Sequence, residues 1–568
     1  MTDEPAEGAQ DSGRSQHRAG QRPGSSLSET LGRAIKKLSF RTPVHKLRLR
    51  GRYPLQLLDV PADPIPGSLR AGRALLDGKM IAAGEVIPFD ALDRGGFSAA
   101  FTDYWQSFAW LRDLAASVER RGAAPVAETL MRRWLASHAR SVSEPAWRPD
   151  LWGRRILFWT AYAPFILDTR DGEYRKEVLN ALARGARHLD SAADTAPQGL
   201  PRVTAWAGVI GAGLLFPGGD LRTAHGEAGM TRALALAVHG DGGLISRSPV
   251  EQLALVELLA QLRGVYEVRA RPPAGAVATA LAQAIPVLAS STLGDGGLSS
   301  WQGGGPASAA RVAAALAAVN FRGGTRDDAR DWGYQKLACG NTQLIMDAAP
   351  PPAAALSRGA CASTLAFELS DEEQRIVVNC GGGAGLAPEL AAGLRTTAAH
   401  STLVLAETNS TAIHADGSMG RGVTEVSLMR VETPEAQRIE AAHDGYVKRF
   451  GFSHRRRLSL AADGRSLEGE DKLHPEGRKK AAASTPLALW FHIGPGIEAV
   501  LTTDGQGALL RPDEGTGWQF RTRVGALALE DSVWIDGAGR PRACKALVVT
   551  AETPDSGLTI PWSFRRVR

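Results

Sequence analysis

Residues 320–335, NFRGGTRDDARDWGYQ, separate two halves of the chain that follow different hydrophobic periods, and that change of period decides the fold. Upstream, from about residue 98, apolar residues recur at spacings of three and four. The stretch 101–121, FTDYWQSFAWLRDLAASVERR, sets its charges opposite an apolar stripe, and 250–266, VEQLALVELLAQLRGVY, does the same through Leu255, Leu258, Leu259 and Leu262. Downstream the period is two. TLAFELS, RIVVNCG, STLVLAE, RRLSLAAD, LALWFHIG and ALVVTAE are short alternating runs punctuated by Gly, Asp or Pro. An all-α region followed by an antiparallel β-sandwich is the architecture this pattern predicts.

The length of 568 residues exceeds what one core supports, so at least two domains are expected. The opening MTDEPAEGAQDSGRSQHRAGQRPGSS is polar and lacks an apolar run, so residues 1–45 are expected to be a disordered tail rather than a leader or anchor. That reading places the protein in the cytoplasm. No stretch of about 20 apolar residues suggests a membrane span. The net charge of +6 is scattered through AIKKLSF, VHKLRLRGRY, SHRRRLSL and FRRVR. None is interleaved with aromatics, which disfavours nucleic acid and fits an acidic substrate better. Four cysteines without CxxC spacing read as buried thiols. One helix start is legible: SRSPVEQLAL (246–255) puts Ser248 at the cap and Pro249 at the first turn. Glu251 then closes a capping box onto the Ser248 N–H.

Seven phrases in this order resemble the heparinase II/III-like polysaccharide lyases. They are YWQSFAWLRDLAA (104–116), PQGLPRVTAWAGVIGAGLLFPG (197–218), DGGLISRSP (241–249), GYQKLACGNTQLIMDAAPPP (333–352), LAFELSDEEQRIVVNCGG (365–382), LRTTAAHSTLVL (394–405) and AAHDGYVKRFGFSHRRRLSL (441–460). The resemblance implies an (α/α) toroid over 46–322 and a β-sandwich over 323–568, with a glycan site in the cleft between them. It also implies cleavage of a uronate-containing polysaccharide by β-elimination. That reaction needs a group to neutralise the carboxylate, a base for the adjacent C–H and an acid for the leaving oxygen. Such lyases work outside the cytoplasm, so the resemblance points to the cell envelope or periplasm.

The chain departs from the family pattern at several positions. Where the family often has Asn-His, it reads Pro201-Arg202, and Arg202 either neutralises the carboxylate or faces solvent at a helix start. The family tyrosine falls on Glu251, a base or a capping residue. The family His-x-His-x-Asp falls on Gly359, Cys361 and Ser363, and its metal site would be completed by Asn379 and His400. A thiol, an amide and an imidazole are a poor set for zinc, so no cofactor is expected and His400 reads as an assisting or structural group.

Tyr446 is the acid or base to examine first, assisted by His443, with Arg455 or Arg456 as the cation that would lower its pKa; a strand-edge tyrosine is the alternative. His454, Arg455 and Arg456 would attract a polyanion. Trp301 with Gln302 in the turn DGGLSSWQGGG (295–305), and Trp206 and Tyr266 among the helices, are candidate sugar platforms, while Trp105 and Trp110 belong in the core. Three readings follow: a lyase on an acidic polysaccharide or oligosaccharide, a glycan-binding or structural relative that has lost catalysis, and a toroid glycoside hydrolase. The last would need two facing carboxylates, with Asp241, Glu251 and Asp295 as candidates.

Overall fold

Apolar stripes at helical spacing need partners, and in the computed structural model the helices of the first half bury theirs against one another. The structure describes residues 12–18, 40, 42–54, 56–305, 307–353, 356, 359–383, 385–476 and 484–567. The main helices are Ala99–Ser107, Trp110–Ser117, Arg120–His138, Pro149–Ala161, Gly172–Ala192, Leu200–Leu215, Asp220–Ala237, Pro249–Val268, Gly275–Ser290 and Ala309–Ala318. Several begin at side-chain caps: Ser98 accepts from the Phe101 N–H, and Asp171 from those of Glu173 and Tyr174. The box at Ser248 does not form. Pro249 starts the helix as expected, but the Ser248 side chain makes no cap hydrogen bond, and Glu251 is held half-buried instead of reaching back.

Tryptophans fill the helical core. Trp105 and Trp110 are buried as expected, packed with Phe108, Trp134, Trp152 and Trp159. Arg155 is sealed among them, its guanidinium over Trp134 at 4.1 Å and Trp152 at 4.3 Å, donating to the Gln106 and Ala146 carbonyls. Pro149–Ala161 crosses Leu200–Leu215 where Gly153 meets Gly208; a Cβ on Gly208 would lie 2.4 Å from the Gly153 Cα. That contact fixes the helix carrying Arg154.

The second half is two antiparallel sheets. One runs in the order Ser12–Arg18, Glu425–Glu432, Ala436–His443, Phe452–Ala461, Ser466–Pro475, Leu558–Arg566, Trp518–Thr522, Gly507–Pro512, Ile497–Leu501. The other runs Ala526–Ile535, Pro541–Thr553, Thr485–Ile493, Gln374–Val378, Phe367–Asp371, Thr342–Asp347, Tyr334–Cys339, with Leu403–Leu405 also paired to Thr485–Ile493. Alternate residues such as Leu458, Leu460 and Leu467 point between the sheets and meet Phe491, Phe520, Trp562 and Phe564. The expected tail over 1–45 lies largely outside the described residues, but 12–18 form an edge strand on Glu425–Glu432, and Pro43–Arg48 is a short helix.

The halves are clamped. Arg247, beside the start of Pro249–Val268, donates to the Asp347 carboxylate at 2.5 Å and to the Trp332 and Pro350 carbonyls. Arg375 of the second sheet grips Asp295 bidentately at 2.8 and 3.0 Å. The glycine turn 303–305 lets the backbones touch, since a Cβ on Gly382 would sit 2.6 Å from the Gly305 nitrogen.

Candidate functional site

The residues expected to act on substrate from the sandwich are enclosed. Tyr446 is 1% exposed inside the sandwich core and donates to the Leu403 carbonyl at 2.9 Å; burial raises its phenol well above the ordinary value. It does not face the cleft, because its ring packs in the core with His443 and Phe450 beside it. His443 and His454 are also buried, with 3.4 Å between His443 Nε2 and His454 Nδ1. His454 Nε2 donates to Asp471 at 2.7 Å, and the same carboxylate accepts from Arg456 at 2.8 and 3.0 Å and from Trp562 Nε1 at 2.7 Å. Burial alone would raise the Asp471 carboxyl, but Arg456 and His454 hold it below the usual range. This network closes the sandwich core, and the Arg456 charge is spent inside it. Arg455 points outward and pairs with Glu440 at 3.1 Å.

His400 is buried too, its Nδ1 2.7 Å from the Thr396 carbonyl, and burial pulls it down to about 4. Arg202 curls back on its own helix start, donating to the Ala196 carbonyl at 3.1 and 2.8 Å. Of Arg202, His400, His443 and Tyr446, only Tyr446 and His443 are brought together. Asn379 bonds Glu368 and the Ser401 N–H, and the Cys361 thiol faces the Gly359 carbonyl. Among the described residues no three His, Cys, Asp or Glu side chains are placed to hold a metal.

The platforms are core as well. Trp301 is 1% exposed and stacks on Tyr334 at 5.4 Å; Gln302 bonds Ser363, Asp347 and the Cys361 N–H. Trp206 donates to Asp194, and Tyr266 to Glu227. Two of the hydrolase carboxylates are committed: Asp241 accepts from the Trp332 and Gly243 N–H groups, and Asp295 is clamped by Arg375.

The helical domain also holds a partly exposed recess of charged side chains, of which sequence reasoning singles out only Glu251. Arg112 on Trp110–Ser117, Arg154 on Pro149–Ala161 and Arg311 on Ala309–Ala318 converge there with Glu251 and Glu257 of Pro249–Val268, close enough that Arg154 feels the charge of both other arginines. Arg112 is held bidentately by Asp63 at 2.8 and 3.0 Å, and Arg311 by Glu257 at 2.8 Å through both oxygens. The Arg311 side chain is nevertheless 46% exposed, and Arg112 and Arg154 are half-buried. Tyr104, donating to Asp113 at 2.6 Å, joins the same charged cluster.

Arg154 is the exception among these cations: it makes no hydrogen bond or ion pair with any described residue. Burial pulls its guanidinium below the ordinary value; Glu257 opposes that, and Arg112 and Arg311 add to it. Glu251 also has no ion pair with any described residue. Burial raises its carboxyl, offset in part by Ser246 and by the Arg154 charge. A cation without an acceptor and a carboxyl without a cation partner thus lie on different helices of one recess. The sequence signal was there: WGRRILFW places two arginines on an otherwise apolar helix, and only one of them, Arg155, is absorbed by the tryptophan core.

Comparisons with known proteins agree with this architecture. Residues 322–563 match the model of the heparinase II/III-like C-terminal domain. FtsZ-localized protein C of Caulobacter vibrioides (strain NA1000 / CB15N) is 30% identical over 557 residues, covering 93% of each chain. A crystal structure of heparinase III superposes with a TM-score of 0.68 at 12% identity, over 97% of this chain and 92% of that one. A heparan sulfate lyase HepC mutant from Pedobacter heparinus superposes at 0.62 and 14% identity with the same coverage. The helical domain is thus a toroid set on a β-sandwich, and the chain belongs to the heparinase II/III-like family.

Proposed function

We propose that this protein binds an acidic, uronate-containing saccharide in the toroid recess, with Arg154 as the anchor for a sugar carboxylate. The observation that carries the reading is the half-buried guanidinium of Arg154, flanked by two clamped arginines and left without an acceptor of its own. A guanidinium held in that state gains most from a bidentate oxyanion, and Arg112 and Arg311, fixed by their carboxylates, add positive field without having to reorganise. The family's structural neighbours include lyases of acidic polysaccharides, which supports the ligand class. Titration calorimetry with heparin, heparan sulfate, alginate and hyaluronan oligosaccharides tests it. Binding to at least one is expected, with the recess site lost in Arg154→Met; equal affinity of the variant at that site refutes the reading.

A second reading adds cleavage. Glu251 is a carboxyl in the recess that remains free to move a proton, and its raised pKa suits a group that must act first as base and then as acid. In that scheme Glu251 takes the proton beside the uronate carboxylate, the electron pair forms the C4=C5 double bond, and the C4–O bond breaks. The same carboxyl then returns the proton to the departing oxygen. Ultraviolet absorbance of the unsaturated product, abolished in Glu251→Gln while binding persists, supports it; binding without that absorbance leaves a glycan-binding protein that does not cut. The relative's name places that protein with FtsZ, and we extend the place, not the chemistry, to this chain: a fluorescent fusion should follow FtsZ, and a uniform distribution would remove that element.

A further inference from the structure

The outer face of the nine-stranded sheet carries a second charged surface that the recess does not explain. Five adjacent strands, from Ala436–His443 across to Trp518–Thr522, form the floor of an open trough of about 610 Å³. The strand register lays Arg438, Ser459, Glu468, Ser563 and Arg521 side by side in one cross-strand row. The small serines sit inside and the arginines stand at the two ends, four strand spacings or about 19 Å apart. Arg457, Arg523 and Arg565 complete the lining. Five arginines face two glutamates, so this one surface holds a net charge equal to half of the chain's +6.

Internal pairing does not consume that charge. Arg457 meets Glu470 at 3.2 Å, Arg565 meets Glu468 at 3.4 Å, and Arg521 meets Asp504 at 2.8 Å, all exposed pairs that water and salt weaken. Arg438 and Arg523 are exposed and have no acidic partner among the described residues. Gathering five like charges on one face raises the free energy of the unliganded protein, and an extended polyanion relieves it.

The shape of the trough selects among polyanions. The outward-facing side chains include no aromatic on which a nucleic-acid base could stack, since Trp562 turns inward to bond Asp471. They include no large apolar side chain to enter a bilayer, and a flat membrane does not follow a concave sheet. We infer that this trough is a second saccharide site, which lays an extended acidic polysaccharide chain across the strands through its carboxylates or sulfates and works independently of the toroid recess.

The test uses the full chain and heparin-derived or hyaluronan oligosaccharides of defined length. Arg438→Glu with Arg523→Glu disturbs no ion pair, and Arg170→Glu with Arg175→Glu, on the exposed start of Gly172–Ala192, controls for net charge. The expected result is two sites on the wild type by calorimetry, with the trough variant losing one of them at least tenfold and the control losing neither. Arg154→Met should remove the other site, so failure of the trough and failure of the recess are told apart. The inference is overturned if the trough variant binds as the control does. It is also overturned if the wild-type trough prefers phosphatidylglycerol vesicles or single-stranded DNA to the saccharide.

Discussion

Replacing Asp471 by Asn tests whether the buried histidines of the sandwich are structural. The carboxylate is 0% exposed and accepts four hydrogen bonds: one from His454, two from Arg456 and one from Trp562. An amide keeps the shape but removes the charge and presents two donors where acceptors are needed. Arg456, also 0% exposed, then keeps at most one amide oxygen besides the Leu365 and Ser401 carbonyls, so its charge is uncompensated in the core. Breaking a buried pair in this way costs about 3–5 kcal/mol. For a domain of this size, with about 2–4 °C per kcal/mol, the melting temperature should fall by roughly 6–20 °C. Urea denaturation and thermal melting measure the loss, and glycan affinity, assayed well below the melt, should stay at the wild-type value. A variant within about 1 kcal/mol of wild type, or a fully stable variant that no longer binds saccharide, would refute the structural assignment.

Acid should weaken the sandwich through its buried histidines. His400 and His492 are held at about 4 by burial, and His443 and His454 are lowered by the same cause, whereas in the unfolded chain each takes a proton near 6.5. Their contribution is therefore complete above 6.5 and is lost as pH falls from there toward 4, which denaturation midpoints across that range will show. Glu368 behaves oppositely: burial, opposed by Arg375 and by the Asn379 and Ser300 N–H groups, pushes it up to about 7. The folded state holds its proton where the unfolded state has released it, so stability is lost as pH rises through about 7. Glu368→Gln should gain on wild type at about pH 8 but not at about pH 5, and an equal difference at both would contradict this. Trp301→Ala should cost about 3–5 kcal/mol in denaturant unfolding while saccharide affinity is unchanged, because the ring fills the domain seam.

The periods on either side of residues 320–335 made the helical and sheet halves legible, since burying a helix stripe and burying alternate strand residues leave different marks. Short-range chemistry was partly legible: Pro249 starts its helix, yet the box predicted for Ser248 and Glu251 does not form. The site was least legible. His443, Tyr446, His454 and Arg456 look like a catalytic set in sequence, but alternation turns His454 and Arg456 inward on one strand, where Asp471 of the next strand absorbs them. The arginines of the recess come from three helices spread between residues 110 and 318, a convergence that only the toroid's closure creates.

The central claim is that ligand recognition rests on the toroid arginines and not on the sandwich histidines. Saccharide affinity measured side by side for Arg154→Met and Tyr446→Phe tests it most directly. Loss of one charge-assisted contact, worth about 1.5–3 kcal/mol, should weaken the first variant at the recess by roughly 10- to 150-fold and leave the second unchanged. Unchanged binding in Arg154→Met together with loss in Tyr446→Phe would contradict the account.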